Sequence, residues 1–153
     1  MTKLELTSPA FSDGGEIPRE YGYKHGNKVP PLKIKCAYTR IKRLALIMDD
    51  PDAMGAVGKV WVHWVVWNID WEIADLHGVE LEGSILGTSG MTDFGEVGYG
   101  GPAPPDKRHT YIFKLYALDT ILDLPEGSPK AALESAMEGH IVEQTQLTGT
   151  YAP

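Results

Sequence analysis

The chain has 153 residues, a net charge of −7 and 42% hydrophobic residues, a globular composition long enough to bury a sizeable core. The acidic balance argues against general nucleic-acid binding and against docking on anionic membranes, which both need clustered Lys and Arg, but it leaves room for a local anion site. Cys36 is the single cysteine, so an intramolecular disulfide and a cysteine zinc cage are excluded, and a reducing, cytoplasmic setting is the expectation.

The first residues lack the apolar core of a signal peptide. No run approaches the roughly 20 apolar residues that cross a bilayer, so membrane insertion is not expected. Leu4 and Leu6 alternate with Lys3, Glu5 and Thr7, which predicts a short edge strand closed by Ser8-Pro9. Asp13-Gly14-Gly15 reads as a turn. Leu32, Ile34 and Cys36 follow Pro30-Pro31 with a period of two and predict a second strand. Arg43 to Met48 carries apolar side chains on both faces, as a central strand does. Lys59 to Ile69 has the same character. Its period places Trp61, His63, Val65 and Trp67 on one face and Val62, Trp64 and Val66 on the other, so a layer is needed on each side.

Residues 83–108 are rich in glycine and include Gly101-Pro102-Ala103-Pro104-Pro105. They read as a long, ordered surface loop of the functional kind. Tyr111 to Leu118 predicts a further buried strand. Ser128-Pro129 predicts an N-cap followed by proline at the first helical position. The helix over Ala131 to Glu138 would end at Gly139, with Leu133 and Met137 facing the core. Residues 140–151 read as a final strand. The expectation is one mainly β domain over residues 1–153, with one or two short helices.

Three places could carry chemistry. Asp50-Pro51-Asp52 at the mouth of a buried strand is either ordinary turn chemistry or a pair of carboxylates fixed by the proline. His63 inside a strand is either a core histidine with one hydrogen-bond partner or an imidazole held protonated by a carboxylate. His109, Tyr111 and Phe113 share a face by period two, so an imidazole and a phenol can point together. Gly100-Gly101-Pro102 could present backbone groups to a ligand. It is no phosphate-binding loop and no dinucleotide fingerprint, and no cofactor is implied. Neither the serine-hydrolase elbow nor the zinc-protease helix motif occurs.

Together these residues resemble the phosphatidylethanolamine-binding protein family, which includes the Raf kinase inhibitor proteins. The chain is most similar to the short bacterial and archaeal branch. The resemblance runs through SPAF, GGEIP, PPL, DDPDA, HWVVWNI, YGGPAPP, RHTYIFKLYALD and GHIVEQTQLTGTY, nearly the whole chain. It implies a β-sandwich with a large antiparallel Greek-key sheet and a ligand pocket at one end of that sheet. Carried over by position, the pocket residues would be Asp50, Asp52, His63, Gly101, Pro102, His109 and Tyr111, and the ligand a phosphate-bearing or phosphoethanolamine-like small molecule. Carboxylates repel phosphate, which leaves three resolutions open. The histidines could be charged, a carboxyl could be protonated, or the aspartates could serve the ammonium end of a zwitterion.

The chain departs from the family pattern at Met54, where proline is frequent, and at Thr110, where arginine is frequent. It also lacks, beyond Pro153, the C-terminal segment of eukaryotic members, so kinase regulation is not carried over. The reading these points support is a binding module for small phosphate-like anions, not an enzyme. The alternative is a protein-interaction role against a protease or kinase, with the loop 83–108 and the Met54-Gly55 loop as contact surface. A cryptic hydrolase or metal site built on Asp50, Asp52, His63 and His109 is the third reading. A homodimer is among the assemblies the resemblance allows.

Overall fold

Period-two alternation and doubly apolar strands sort this chain into two sheets. The structure, a computed structural model, describes residues 4–36, 40–70, 79–81 and 87–153, the strand 79–81 by its backbone. Residues 83–86, the start of the expected long loop, lie outside the described residues. The smaller sheet has the order β1 (Leu4–Thr7), β3 (Leu32–Cys36), β6 (Val79–Leu81), all antiparallel. The larger sheet has six strands in the order β2 (Gly15–Glu16), β9 (Ile141–Tyr151), β8 (His109–Leu118), β4 (Arg43–Asp50), β5 (Trp61–Asp70), β7 (Thr88–Ser89). It is antiparallel except for the two-residue β2, which runs parallel to β9.

The strand β4 lies between β5 and β8 and is buried from Leu44 to Asp50. Its two faces feed two apolar clusters. Leu44, Leu46 and Met48 join Trp64, Val66, Phe113 and Leu147 and meet Leu4, Leu6, Leu32 and Ile34 of the smaller sheet. Ala45 and Ile47 join Val65 and Trp67 on the opposite face, which Leu122 and two helix residues, Leu133 and Met137, cover. This explains the unbroken apolar runs, since each strand buries both sides. That helix, named α2 below, spans Lys130–Met137 and starts without a side-chain cap. The Ser128 hydroxyl donates instead to Pro125 O at 2.6 Å, so the predicted N-cap serves the preceding turn. Gly139, at φ +82°, turns the chain back towards β9.

The strand β5 departs from the expected alternation. Met48 is paired with Trp64 and Asp49 with Val62, so His63 is the extra residue of a β-bulge. The bulge breaks the period of two. Trp61 and His63 keep the predicted common face, but Val65 and Trp67 turn to the other side with Val62. The change of face places His63 and Trp64 on the same side of the sheet. The long loop is corrected too, because Gly100, Gly101 and Pro102 are buried. Gly90 N–H donates to Val65 O, Asp93 N–H to Val62 O and Gly100 N–H to His63 O, at 2.7–3.0 Å, stitching the loop along β5.

The Asp49 carboxylate is buried on the α2 side of the sheet. It accepts from Lys114 Nζ at 3.1 Å and from Lys130 Nζ at 2.8 Å, which pins the first turn of α2 to β4 and β8. Removing one member of such a cluster strands the other charges. Asp49→Asn should therefore lower the urea unfolding free energy by roughly 2 kcal/mol, more than Lys130→Met, which leaves Lys114 in place. Equal small losses would contradict this anchoring.

Candidate functional site

Where β4 runs out, its last residue turns a carboxylate inward. Asp50 is paired with Trp61 in the sheet register and is 3% exposed. Pro51 stops the strand and Asp52 N–H donates to Asp50 Oδ1 at 3.0 Å, a local Asx-type turn. A single helical turn, α1 (Ala53–Val57), follows and ends at Gly58 with φ +79°. The Asp52 carboxylate accepts from Thr110 N–H at 2.8 Å. The turn reading and the placed-carboxylate reading are thus both present in one segment.

His109 begins β8 beside this turn and is 1% exposed. Its Nδ1 meets Asp50 Oδ2 at 2.6 Å and its Nε2 meets Asp106 Oδ1 at 2.7 Å. Burial opposes the charged imidazole, but the two carboxylates outweigh it and raise the His109 pKa above its usual 6.5. The same contact, against a desolvation cost, lowers Asp106 from its usual range. Two carboxylates and one imidazolium leave this cluster with one net negative charge.

His63 behaves differently. It is 2% exposed, and burial pushes its pKa below 6.5, although the Gly100 carbonyl and the Asp50 charge oppose the shift. In the neutral ring, Nδ1–H donates to Gly100 O at 2.6 Å, which leaves Nε2 as an acceptor. The ring stands edge-on to Phe94 and Tyr111, with centroids 5.4 and 5.1 Å away.

These residues enclose a cavity of about 130 Å³. Asp50, His63, His109 and Tyr111 line it, together with Trp61 and Phe94. Ala53, Ala56 and Val57 of α1 form one rim, and Ala103 and Pro105 the other. Among the described residues, two buried side-chain polar atoms have no hydrogen-bond partner, the Tyr111 hydroxyl and Trp61 Nε1. Both belong to the walls of this cavity. Burial, followed by the nearby Asp50 charge, raises the Tyr111 pKa, so the phenol stays a neutral donor.

Of the seven residues expected at the site, Asp52, Gly101 and Pro102 do not line the cavity. Gly101 N–H donates to Asn27 Oδ1 at 2.7 Å, and Pro102 O accepts from Tyr23 N–H at 2.9 Å. A Cβ on Gly101 would run into the Tyr21 carbonyl, and one on Gly100 into the Phe94 ring. The glycine pair therefore permits close packing, and neither of its N–H groups is left for a ligand. Sequence reasoning did not single out Trp61, Phe94 or Asp106 as site residues. Trp61 was detectable from its shared face with His63, whereas Phe94 and Asp106 carry no local signal.

Residues 7–152 match the family model described as phosphatidylethanolamine-binding protein. The chain belongs to the phosphatidylethanolamine-binding protein family. A UPF0098 protein of Methanothermobacter thermautotrophicus is 42% identical to it over 154 residues, with 97% of this chain and 98% of the relative covered. A UPF0098 protein of Chlamydia muridarum is 41% identical over 151 residues, with the same coverage. Among solved structures, a phosphatidylethanolamine-binding protein homolog from Chlamydia trachomatis aligns with a TM-score of 0.89 at 38% identity, over 99% of this chain and 98% of that one. YbcL of Escherichia coli, described as a new member of the mammalian phosphatidylethanolamine-binding protein family, aligns with a TM-score of 0.83 at 27% identity, over 98% of each chain. The mainly β fold with two sheets and few helices is the family's fold. No helix among the described residues is long and apolar enough to cross a membrane.

The charge cluster should make stability depend on pH. His109 has a raised folded pKa, so its contribution is complete below its unfolded value near 6.5 and is lost as pH rises through the folded one. His109→Asn should cost roughly 3 kcal/mol in urea unfolding at about pH 6. The gap to the wild type should narrow steadily as the pH is raised above neutrality. A gap that stays constant with pH would mean that His109 carries no charge in the fold.

Proposed function

We propose that this family member is a binding module for a small oxyanion-bearing ligand of the phosphate or head-group class, held in the Asp50–His63–His109–Tyr111 cavity. The observation that carries the reading is a pair of cavity-wall donors with no hydrogen bond of good geometry inside the protein, Trp61 Nε1–H and the Tyr111 hydroxyl, the latter with the Asp50 carboxylate and the Ala103 backbone beside it. A buried donor without an acceptor is costly, and an oxygen acceptor in the cavity would satisfy both. The cavity is small, about 130 Å³. It suits a tetrahedral oxyanion whose substituent leaves through the open side.

The electrostatic difficulty is met by division of labour. His109 neutralises Asp50 internally, so this carboxylate does not face the ligand bare. His63 Nε2 is an acceptor while the ring is neutral and becomes a third donor when an anion draws a proton onto it. Binding rather than turnover fits the described lining residues, which include no Ser, Thr, Cys or Lys.

Calorimetric titration tests this reading. Sulfate keeps its charge across the range and isolates the protein's titration. Its affinity should be higher at about pH 5.5 than at about pH 8, because the His63 pKa lies below its usual value and the anion favours the protonated ring. Tyr111→Phe and Trp61→Phe should each weaken phosphate and phosphoethanolamine roughly tenfold, the effect of losing one hydrogen bond to a charged group. Unchanged affinity in both variants would remove the cavity from consideration.

A further inference from the structure

The His109 ring has two acceptor partners of unlike kind. Asp50 is fixed at the end of β4, its side chain is 4% exposed, and its other oxygen is engaged by Asp52 N–H. Asp106 sits in the irregular stretch between Pro105 and Lys107, and its side chain is 42% exposed. Asp50 alone balances the imidazolium. The second ring N–H still needs an acceptor, and a half-exposed loop carboxylate supplies it. His109 and Pro105, the residue before Asp106, both line the cavity.

We infer that Asp106 is an internal substitute for the ligand's oxyanion. It occupies His109 Nε2 in the empty protein and yields that position when an oxyanion enters the cavity. The exchange conserves the donor's partner, since one carboxylate oxygen on Nε2 is replaced by one ligand oxygen. It also moves the single excess negative charge of the cluster out to solvent, where Lys107 and Arg108 follow in the chain. A half-exposed ion pair is weak enough to be exchanged, whereas Asp50 is too deeply held to leave. Asp106 thereby sets a threshold. Weak acceptors fail to displace it, and charged oxyanions succeed. This inference rests on the cavity being the ligand site.

Two variants separate displacement from simple charge repulsion. Asp106→Asn removes the charge but keeps an acceptor oxygen for Nε2, and Asp106→Ala removes both. The residue lies in an exposed loop, so both variants should fold, which a thermal melt verifies. With inorganic phosphate as the calorimetric probe, Asp106→Ala should bind about fivefold more tightly than wild type, a gain of the size expected for freeing an exposed pair. Asp106→Asn should fall between them. In the wild type, saturating phosphate should also shift the carboxyl carbon resonance of Asp106. Equal gains in the two variants would reduce Asp106 to a repelling charge and overturn the inference. So would unchanged or weaker binding in both while the wild type still binds. If neither wild type nor variants bind phosphate, the cavity reading falls and takes this inference with it.

Discussion

The contact between Asp50 and His109 organises this end of the molecule. It joins the last residue of β4 to the first of β8 through a 2.6 Å charged pair that solvent hardly reaches. Two backbone bonds support it, from Asp52 N–H to Asp50 and from Thr110 N–H to Asp52. The clamp fixes where β4 turns into α1 and where the loop before β8 must arrive. Those two segments are the rims of the cavity. Without the imidazole, a buried carboxylate would stand unpaired beside Tyr111, at a cost of several kcal/mol.

The two histidines of the site are set to opposite states by their surroundings. Two carboxylates flank His109 and favour its imidazolium, while burial among aromatic rings favours the neutral form of His63 against the pull of the Gly100 carbonyl and the Asp50 charge. The bulge at His63 makes the second environment possible. It lets Trp61 and His63 face the cavity while Trp64 and Val66, just beyond, stay in the core shared with the smaller sheet. The loop from Gly90 to Gly100 then closes over the bulge, and Gly100 both receives the His63 ring bond and donates to the His63 carbonyl. One local irregularity thus aims a ring into the cavity without exposing its backbone. Asp49 on the opposite face serves α2 and takes no part, so the tandem aspartates divide between fold and site.

The strands could be read from the chain because each follows one rule throughout its length. Leu32, Ile34 and Cys36 alternate, Arg43 to Met48 is apolar on both sides, and Leu133 and Met137 lie four apart on a helix. The residues at the ends of strands were harder. A bulge leaves no mark in hydrophobicity, so a period of two puts His63 with Val65 and Trp67 instead of with Trp64. The short helix α1 is AMGAV, with poor capping and a glycine inside, and gives no periodic signal. The Gly100-Gly101 pair reads as open to a ligand because the sequence does not show that Asn27, Tyr21 and Phe94 arrive against it. Family resemblance supplied the grouping of Asp50, His63, His109 and Tyr111, since no local spacing joins segments so far apart. It did not supply Asp106, whose role depends on a distance within a loop.

The most direct measurement is a crystal structure of the protein soaked with phosphoethanolamine, read at the cavity. A tetrahedral group should lie within hydrogen-bond distance of both Trp61 Nε1 and the Tyr111 hydroxyl, with its substituent directed out past α1. Density for the ligand elsewhere, with Trp61 and Tyr111 still unpartnered, would contradict it.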